Sequence, residues 1–337
     1  MRAIGFKAPH PIDHPEAFIE LNLPNPVPTG RDLLVRVEAV SVNPVDFKQR
    51  RSATPPAGET RILGFDAAGV VVGKGPDASL YEIGDPVYYA GSLNRSGSNA
   101  ELQLVDERIV GRKPNSLDFA SAAALPLTAI TAWEMLFERL DVRRPVPGAA
   151  PTILIVGGAG GVGSIAVQLA RQLTDLTVIA TASRPETADW VRDLGAHHVI
   201  DHSKPMAPQI AALGLGQPGL AFATNQPDRH LYDLVELLAP QGRIGFIDGV
   251  GVPNGGPLLM KAIAVHWELM FTRPMFGTAD MIEQKHLLDE ISRLVDAGTL
   301  RSTATETVGK ISAENLIRAH AQLETGTTRG KLVLSGW

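Results

Sequence analysis

Residues 152–173 read TILIVGGAGGVGSIAVQLARQL, with five glycines in seven consecutive positions between an apolar run and a helix-like run. Glycine gives up side-chain packing and pays the largest backbone entropy on folding, so a cluster of this density needs a reason. Gly158, Gly160 and Gly163 fit G-x-G-x-x-G directly after a strand and at the mouth of a helix, the context in which that spacing cradles a dinucleotide. In that arrangement Gly158 makes the tight turn, Gly160 lets a pyrophosphate reach the main chain, and Gly163 lets the helix pack closely on the strand. Val162, Ile165, Ala166, Leu169 and Leu173 recur at helical spacing, so the helix behind the turn is amphipathic and directs its N-terminal amides toward the phosphates.

The surrounding pattern supports a parallel sheet. TILIV (152–156), TVIATA (177–182), HHVID (197–201), LAFAT (220–224) and RIGFID (243–248) are short apolar runs, most of them separated by amphipathic segments, which is the rhythm of a doubly wound α/β fold. AIAVHWELM (262–270) extends the series as one more strand, and residues 281–298 predict a helix ending at Gly298. The first ~120 residues differ. DLLVRVEAVSV (32–42), AAGVVVGKG (67–75) and DPVYYAG (85–91), set off by Gly, Pro and Asn, predict a mainly β unit. A chain of 337 residues exceeds what one core usually supports, so two domains are expected.

The end of the second strand of the α/β unit selects the dinucleotide, because NAD sites place a carboxylate there on the ribose 2′-hydroxyl. Thr181, Ala182, Ser183 and Arg184 carry none. Ser183 and Arg184 are donors suited to a 2′-phosphate, so NADP(H) is the expected cofactor.

Composition removes other chemistries. The chain has no cysteine, which excludes disulfides, thiol nucleophiles and thiolate metal ligands. His10 and His14 have metal-like spacing, but the prolines around them argue for a surface loop. A net charge of −5 gives no reason to expect a nucleic-acid or membrane partner. The N-terminus lacks an apolar signal core and no uninterrupted 18-residue apolar stretch occurs, so a cytoplasmic location is expected.

GFDAAGVV (64–71), AAALPLTAITAWEML (122–136), GGAGGVG (157–163) and TTRGKLVL (327–334), in this order, resemble the medium-chain dehydrogenase/reductase superfamily across nearly the whole chain. Within it the sequence is most similar to the quinone oxidoreductase branch, in particular the zinc-type alcohol dehydrogenase-like group. The resemblance implies a GroES-like, mainly β catalytic domain from residues 1–124 and 266–337. A Rossmann cofactor domain over 125–265 is inserted between them, and a homodimer is implied, with its contact sought along the strand near 262–270. It also implies where catalytic zinc ligands would stand. Those positions hold Asn43, Phe65 and Leu127, and Val45 replaces the hydroxyl residue of a proton relay, so no metal is expected.

The same resemblance places Asn43 and Asp46 on the floor of the active-site cleft. Asn43 is expected to polarise a substrate oxygen, and Asp46 either to relay a proton or to cap the turn after Pro44. Phe47, Phe65, Leu127, Trp267, Phe271 and Phe276 are candidates for a substrate wall. Thr128 and Thr131 are candidates for the nicotinamide. Gly158, Gly160, Gly161, Val162, Gly163, Ser183, Arg184, His202, Asp248, Gly249, Val250 and Lys331 are the further expected cofactor contacts. Without a Lewis acid, a conjugated acceptor suits hydride transfer better than an alcohol does, because its enolate charge is delocalised. The expected activity is therefore NADPH-dependent reduction of quinones or α,β-unsaturated carbonyl compounds. A cofactor-binding sensor or nucleic-acid-binding protein, and a zinc-free alcohol or sugar dehydrogenase, are the alternatives.

Overall fold

The computed structural model describes residues 1–249, 251 and 255–337. The chain divides into two compact units, Met1–Ile130 with Phe271–Trp337, and Thr131–Met270.

The first unit is built on β-structure. β1 (Arg2–Phe6), β2 (Ile19–Asn22), β3 (Asp32–Ser41), α1 (Pro44–Ser52), β4 (Arg61–Ile62), β5 (Ala67–Lys74), β6 (Pro86–Tyr89), β7 (Leu102–Asp106) and β8 (Val110–Arg112) precede α2 (Phe119–Ala123) and α3 (Pro126–Trp133). β3 carries the alternation expected of a strand with one buried face, with Leu33, Val35 and Val37 inward and Arg36 outward. It pairs antiparallel with β5, which pairs with β6.

The second unit holds the α/β pattern. A π-helical turn (Glu134–Arg139) leads to β9 (Ala150–Val156), α4 (Gly161–Leu173), β10 (Thr177–Thr181), α5 (Pro185–Asp193), β11 (His198–Ile200), α6 (Met206–Ala212), β12 (Pro218–Ala223), α7 (Pro227–Leu237), β13 (Arg243–Phe246), α8 (Gly256–Met260) and β14 (Ala264–Trp267). The sheet order is β11-β10-β9-β12-β13-β14 and every pair is parallel. The order reverses beside β9, so the glycine turn after β9 lies at the topological switch point where such sheets bind ligands.

The chain then returns to the first unit through α9 (Thr272–Phe276), α10 (Glu283–Asp296), β15 (Ala304–Gly309), α11 (Ala313–Glu324) and β16 (Lys331–Ser335). β16 pairs antiparallel with β3, completing the order β15-β16-β3-β5-β6-β8, with β7 also on β3. β15 has no strong apolar alternation and was not expected from the sequence; it forms because β16 offers it a parallel ladder.

Two boundaries differ from expectation. The first division falls after Ile130, not at 124/125, because the Leu127 amide donates to buried Asp66 and Thr303 bonds the Ala124 carbonyl. The second falls after Met270, not at 265/266, because the Glu268 amide continues onto Phe246 and its carboxylate pairs with Arg139. The helical run Phe119–Arg139 has the length and hydropathy to cross a membrane, yet 78% of its most apolar window is buried within the protein, as in a core helix.

Candidate active site

The glycine turn is held by three hydrogen bonds from its amides. The Gly157 amide donates to Thr181 Oγ1 at 3.0 Å, the Gly158 amide to the Thr181 carbonyl at 3.1 Å, and the Gly160 amide to the Gly157 carbonyl at 3.1 Å. The turn glycine lies one position before the one expected from the sequence, while Gly160 and Gly163 keep their expected places. Gly157, with φ of +77°, makes the tight turn, whereas a Cβ on Gly158 would meet Ala180 Cβ at 2.9 Å. Gly163 is the packing glycine, since a Cβ there would stand 2.2 Å from the Gly157 carbonyl oxygen.

At Gly160 the nearest atom to such a Cβ is 3.5 Å away, so the approach to the main chain is open. No side chain caps α4 at Gly160, and Gly161 and Val162 are only half-buried. Uncapped helical amides behind an open glycine fit a pyrophosphate.

Around this turn, Thr181 closes the end of β10 and Ser183 beyond it is exposed. Arg184 opens α5, and its Nε pairs with Glu186 at 3.1 Å on the surface. His202 Nδ1 lies 2.8 Å from Thr181 Oγ1, which also accepts from Gly157, so His202 is tied to the glycine turn through one hydroxyl. Burial pulls the His202 pKa below the ordinary imidazole value, against the opposing pull of Asp201. His230 of α7 meets it edge to face at 5.9 Å, and burial lowers that ring to about 4. Sequence reading missed Thr181 and His230: a strand-end threonine and a helix histidine are ordinary in sequence, and only the fold brings them to the turn. Asp248 and Gly249 lie in an exposed loop after β13, and Thr131 is buried in α3. Val250 lies outside the described residues.

The first unit contains a closed polar cluster. Asp66 Oδ1 accepts from the Leu127 amide at 2.7 Å, and its Oδ2 accepts from Ser41 Oγ at 2.7 Å, Asn43 Nδ2 at 2.8 Å and Lys331 Nζ at 3.0 Å. Lys331 also donates to the Val42 carbonyl at 2.9 Å and to Asn43 Oδ1. Lys331 is 3% exposed and Asp66 is fully buried, so the pair is sealed from water.

Asp46 accepts from the Asn43 amide at 2.8 Å and from the Gly64 amide at 3.1 Å. Burial pushes its pKa up to about 7, against the pull of the Asn43 amide and the Lys331 ammonium. These contacts tie the start of α1 to the loop before β5.

This corrects the expected role of Asn43. Its amide is 1% exposed and both ends are engaged, by Asp66 and by Lys331, so it is not presented to a substrate oxygen. Lys331, expected at the cofactor, has its ammonium inside this cluster.

The residues expected to form a substrate wall differ in exposure. Phe65 and Phe271 are core, 0% and 2% exposed, and pack edge to face at 5.3 Å. Leu127 is buried beside Asp66 and Phe47 is half-buried under Arg51. Trp267 is 50% exposed on the edge strand β14, and Phe276 is 75% exposed at the end of α9. Thr128 Oγ1 donates to the Leu125 carbonyl at 3.1 Å, just before the start of α3. His10 and His14 stack at 3.8 Å in a loop.

Comparison with known proteins agrees with this architecture. Residues 29–115 match the alcohol dehydrogenase GroES-like domain and residues 194–334 match the zinc-binding dehydrogenase family. A zinc-type alcohol dehydrogenase-like protein of Staphylococcus aureus is 40% identical over 99% of this chain and 100% of its own length. The chain belongs to the medium-chain dehydrogenase/reductase superfamily. A crystal structure from Rhizobium etli, provisionally named a zinc-dependent alcohol dehydrogenase, is 60% identical, covers 100% of this chain and 98% of its own, and has a TM-score of 0.98. The 2-methylene-furan-3-one reductase of tomato, Solanum lycopersicum, is 30% identical over 94% of this chain and 74% of its own length. The protein is thus an oxidoreductase of this superfamily, with a GroES-like domain and a Rossmann NAD(P)-binding domain.

Proposed function

We propose that this oxidoreductase uses NADPH to reduce quinones or α,β-unsaturated carbonyl compounds and works without a catalytic zinc. The observation that carries the reading is the Lys331 cluster. The family's name implies a metal, but the residues here do not fit one. Asn43 Oδ1 and Asp66 Oδ2 are already held by the protein's own ammonium, and positions 65 and 127 present a phenyl ring and an isobutyl group. A reductase of an exocyclic enone among the relatives supports the substrate class.

NADPH, when bound, supplies the hydride. The chain's residues hold it: the open main chain at Gly160, with the amides of Gly161 and Val162, takes the pyrophosphate, and Ser183 with Arg184 takes the 2′-phosphate. Asn43 and Asp46 serve as positioning residues that fix the start of α1. A delocalised enolate needs no Lewis acid, and water completes the protonation.

NADPH oxidation on metal-analysed protein, with a panel of quinones and enones and an NADH control, tests the reading. Turnover with NADPH at substoichiometric zinc supports it. Tight NADPH binding without turnover favours a sensor, alcohol-dependent NADP+ reduction favours a zinc-free dehydrogenase, and stoichiometric zinc required for turnover overturns the proposal.

A homodimer through β14 is part of the same reading. β14 ends the parallel sheet, and Leu259 and Met260 before it, Trp267 on it and Leu269 just after it are 49% to 85% exposed. Sedimentation of Trp267→Glu is expected to show monomer where the parent shows dimer.

A further inference from the structure

An open groove of about 430 Å3 lies in the first unit between the end of α1, β4 and residues 94–96; Gln49, Thr54, Glu59, Thr60, Arg61 and Asn94 are among its lining residues. That is the size of a small-molecule site. Arg61 stands on β4 opposite Phe6. Its guanidinium has five N–H groups to donate and, among the described residues, donates to one acceptor, the Leu93 carbonyl. Nε is sealed from water without an acceptor. Burial alone acts on its pKa, pulling it below the ordinary arginine value, with no acid offsetting the cost.

The other arginines nearby differ. Arg95, which also lines the groove, is paired with Asp32 at 2.8 Å. A smaller pocket of about 130 Å3 shares Arg95 and adds Arg108, which pairs with Asp106 at 2.7 Å. Both of its guanidiniums are therefore compensated, whereas the larger groove holds one that is not.

A half-buried cation with one hydrogen bond is costly to leave so, and an anion recovers that cost through charge-assisted bonds. The exposed Glu59 along the same groove repels further negative charge, which favours a monoanion over a phosphate. Gln49, Thr54 and Thr60 add neutral donors for the remainder of the molecule.

We propose that this groove binds a small organic monocarboxylate through the Arg61 guanidinium. The inference stands apart from the reductase reading, since binding is measured without turnover. The carboxylate belongs either to a substrate tail or to a separate effector.

Calorimetric titration of the full-length protein with benzoate and with its neutral analogue benzamide tests it. Benzoate is expected to bind at least tenfold more tightly than benzamide, and to lose about tenfold or more in Arg61→Met. No benzoate binding, equal binding of benzamide, or an unchanged affinity in Arg61→Met overturns the proposal. Glu59→Gln lies on the surface and carries little folding risk. It should tighten benzoate about threefold and leave benzamide unmoved, and an equal change for both ligands, or none for benzoate, overturns the proposal too. In the NADPH oxidation assay, competition between benzoate and a quinone assigns the site to the substrate tail, and non-competitive behaviour assigns it to an effector. Both patterns support carboxylate binding.

Discussion

The Lys331 ammonium lies 3.0 Å from the Asp66 carboxylate, 265 positions away in the chain, and both are sealed from water. Strand β16 brings the lysine to β3, and the turn before β5 brings the aspartate to the same point. The return of the C-terminal chain to the N-terminal unit is therefore fastened by a buried ion pair as well as by a β-ladder.

Removing one partner leaves the other charge buried. Lys331→Met is expected to cost roughly 3–5 kcal/mol in unfolding free energy, read from urea denaturation. The double variant Lys331→Met with Asp66→Asn should cost less than the two single changes added together, because the stranded charge is gone. Full additivity would show that the pair is not coupled.

The glycine turn separates packing from ligand approach. In Gly163→Ala the added carbon meets the Gly157 carbonyl at 2.2 Å and Gly158 Cα at 2.7 Å, so the turn must move. Both the melting temperature and NADPH affinity should fall, the affinity by about tenfold or more. In Gly160→Ala the nearest atom is 3.5 Å away, so stability should change little while NADPH affinity falls. Titration of NADPH against both variants, beside their melting curves, checks the distinction, and retained affinity in Gly160→Ala would remove the pyrophosphate from that position.

Much of this was legible from residue spacing. The strand, glycine turn and helix over 150–173 are local, and their apolar periodicity is dictated by a chain buried on both faces of a parallel sheet. The site residues were harder to read. Asn43 has the look of a free amide in sequence, and only the arrival of Lys331 from the far end of the chain shows that its oxygen is taken. Phe65 and Trp267 are both aromatic, yet one is core and the other stands on a sheet edge, a difference set by strand order and not by hydrophobicity. Gly157 and Gly158 are interchangeable as letters; the positive φ of Gly157 shows which one turns.

On the proposed NADPH reading, cofactor choice turns on a competition at the surface. Arg184 pairs with Glu186 at 3.1 Å, with both side chains exposed, so the pair is weak and the guanidinium can be drawn to a 2′-phosphate. Glu186→Gln is expected to tighten NADPH about two- to threefold at low salt and to leave NADH unmoved. Arg184→Ala should weaken NADPH by about tenfold with the same indifference to NADH. Fluorescence titrations of the two nucleotides decide it: a parallel change for both would place Arg184 away from the 2′-phosphate.

His320 and His230 should both make the fold acid-sensitive, and His320 is the more deeply buried of the two. Its ring is fully buried beside Phe18, neither nitrogen has a hydrogen-bond partner among the described residues, and burial with nearby Arg50 holds its pKa at about 3. The unfolded chain takes up a proton near pH 6.5, whereas the folded protein does not until about pH 3. The unfolded state thus binds more protons between these values, and stability falls as the pH falls through that window. Between about pH 7.5 and about pH 5 this one group should remove roughly 2 kcal/mol. Asp46 acts with the opposite sign. Its folded pKa of about 7 lies above the unfolded 3.8, so its contribution is complete below pH 3.8 and is lost as the pH rises through 7. Urea unfolding of His320→Leu at the two pH values separates the two effects. The variant should lose less stability on acidification than the parent by roughly 2 kcal/mol, and an identical loss in both would show that His320 is already protonated in the folded protein.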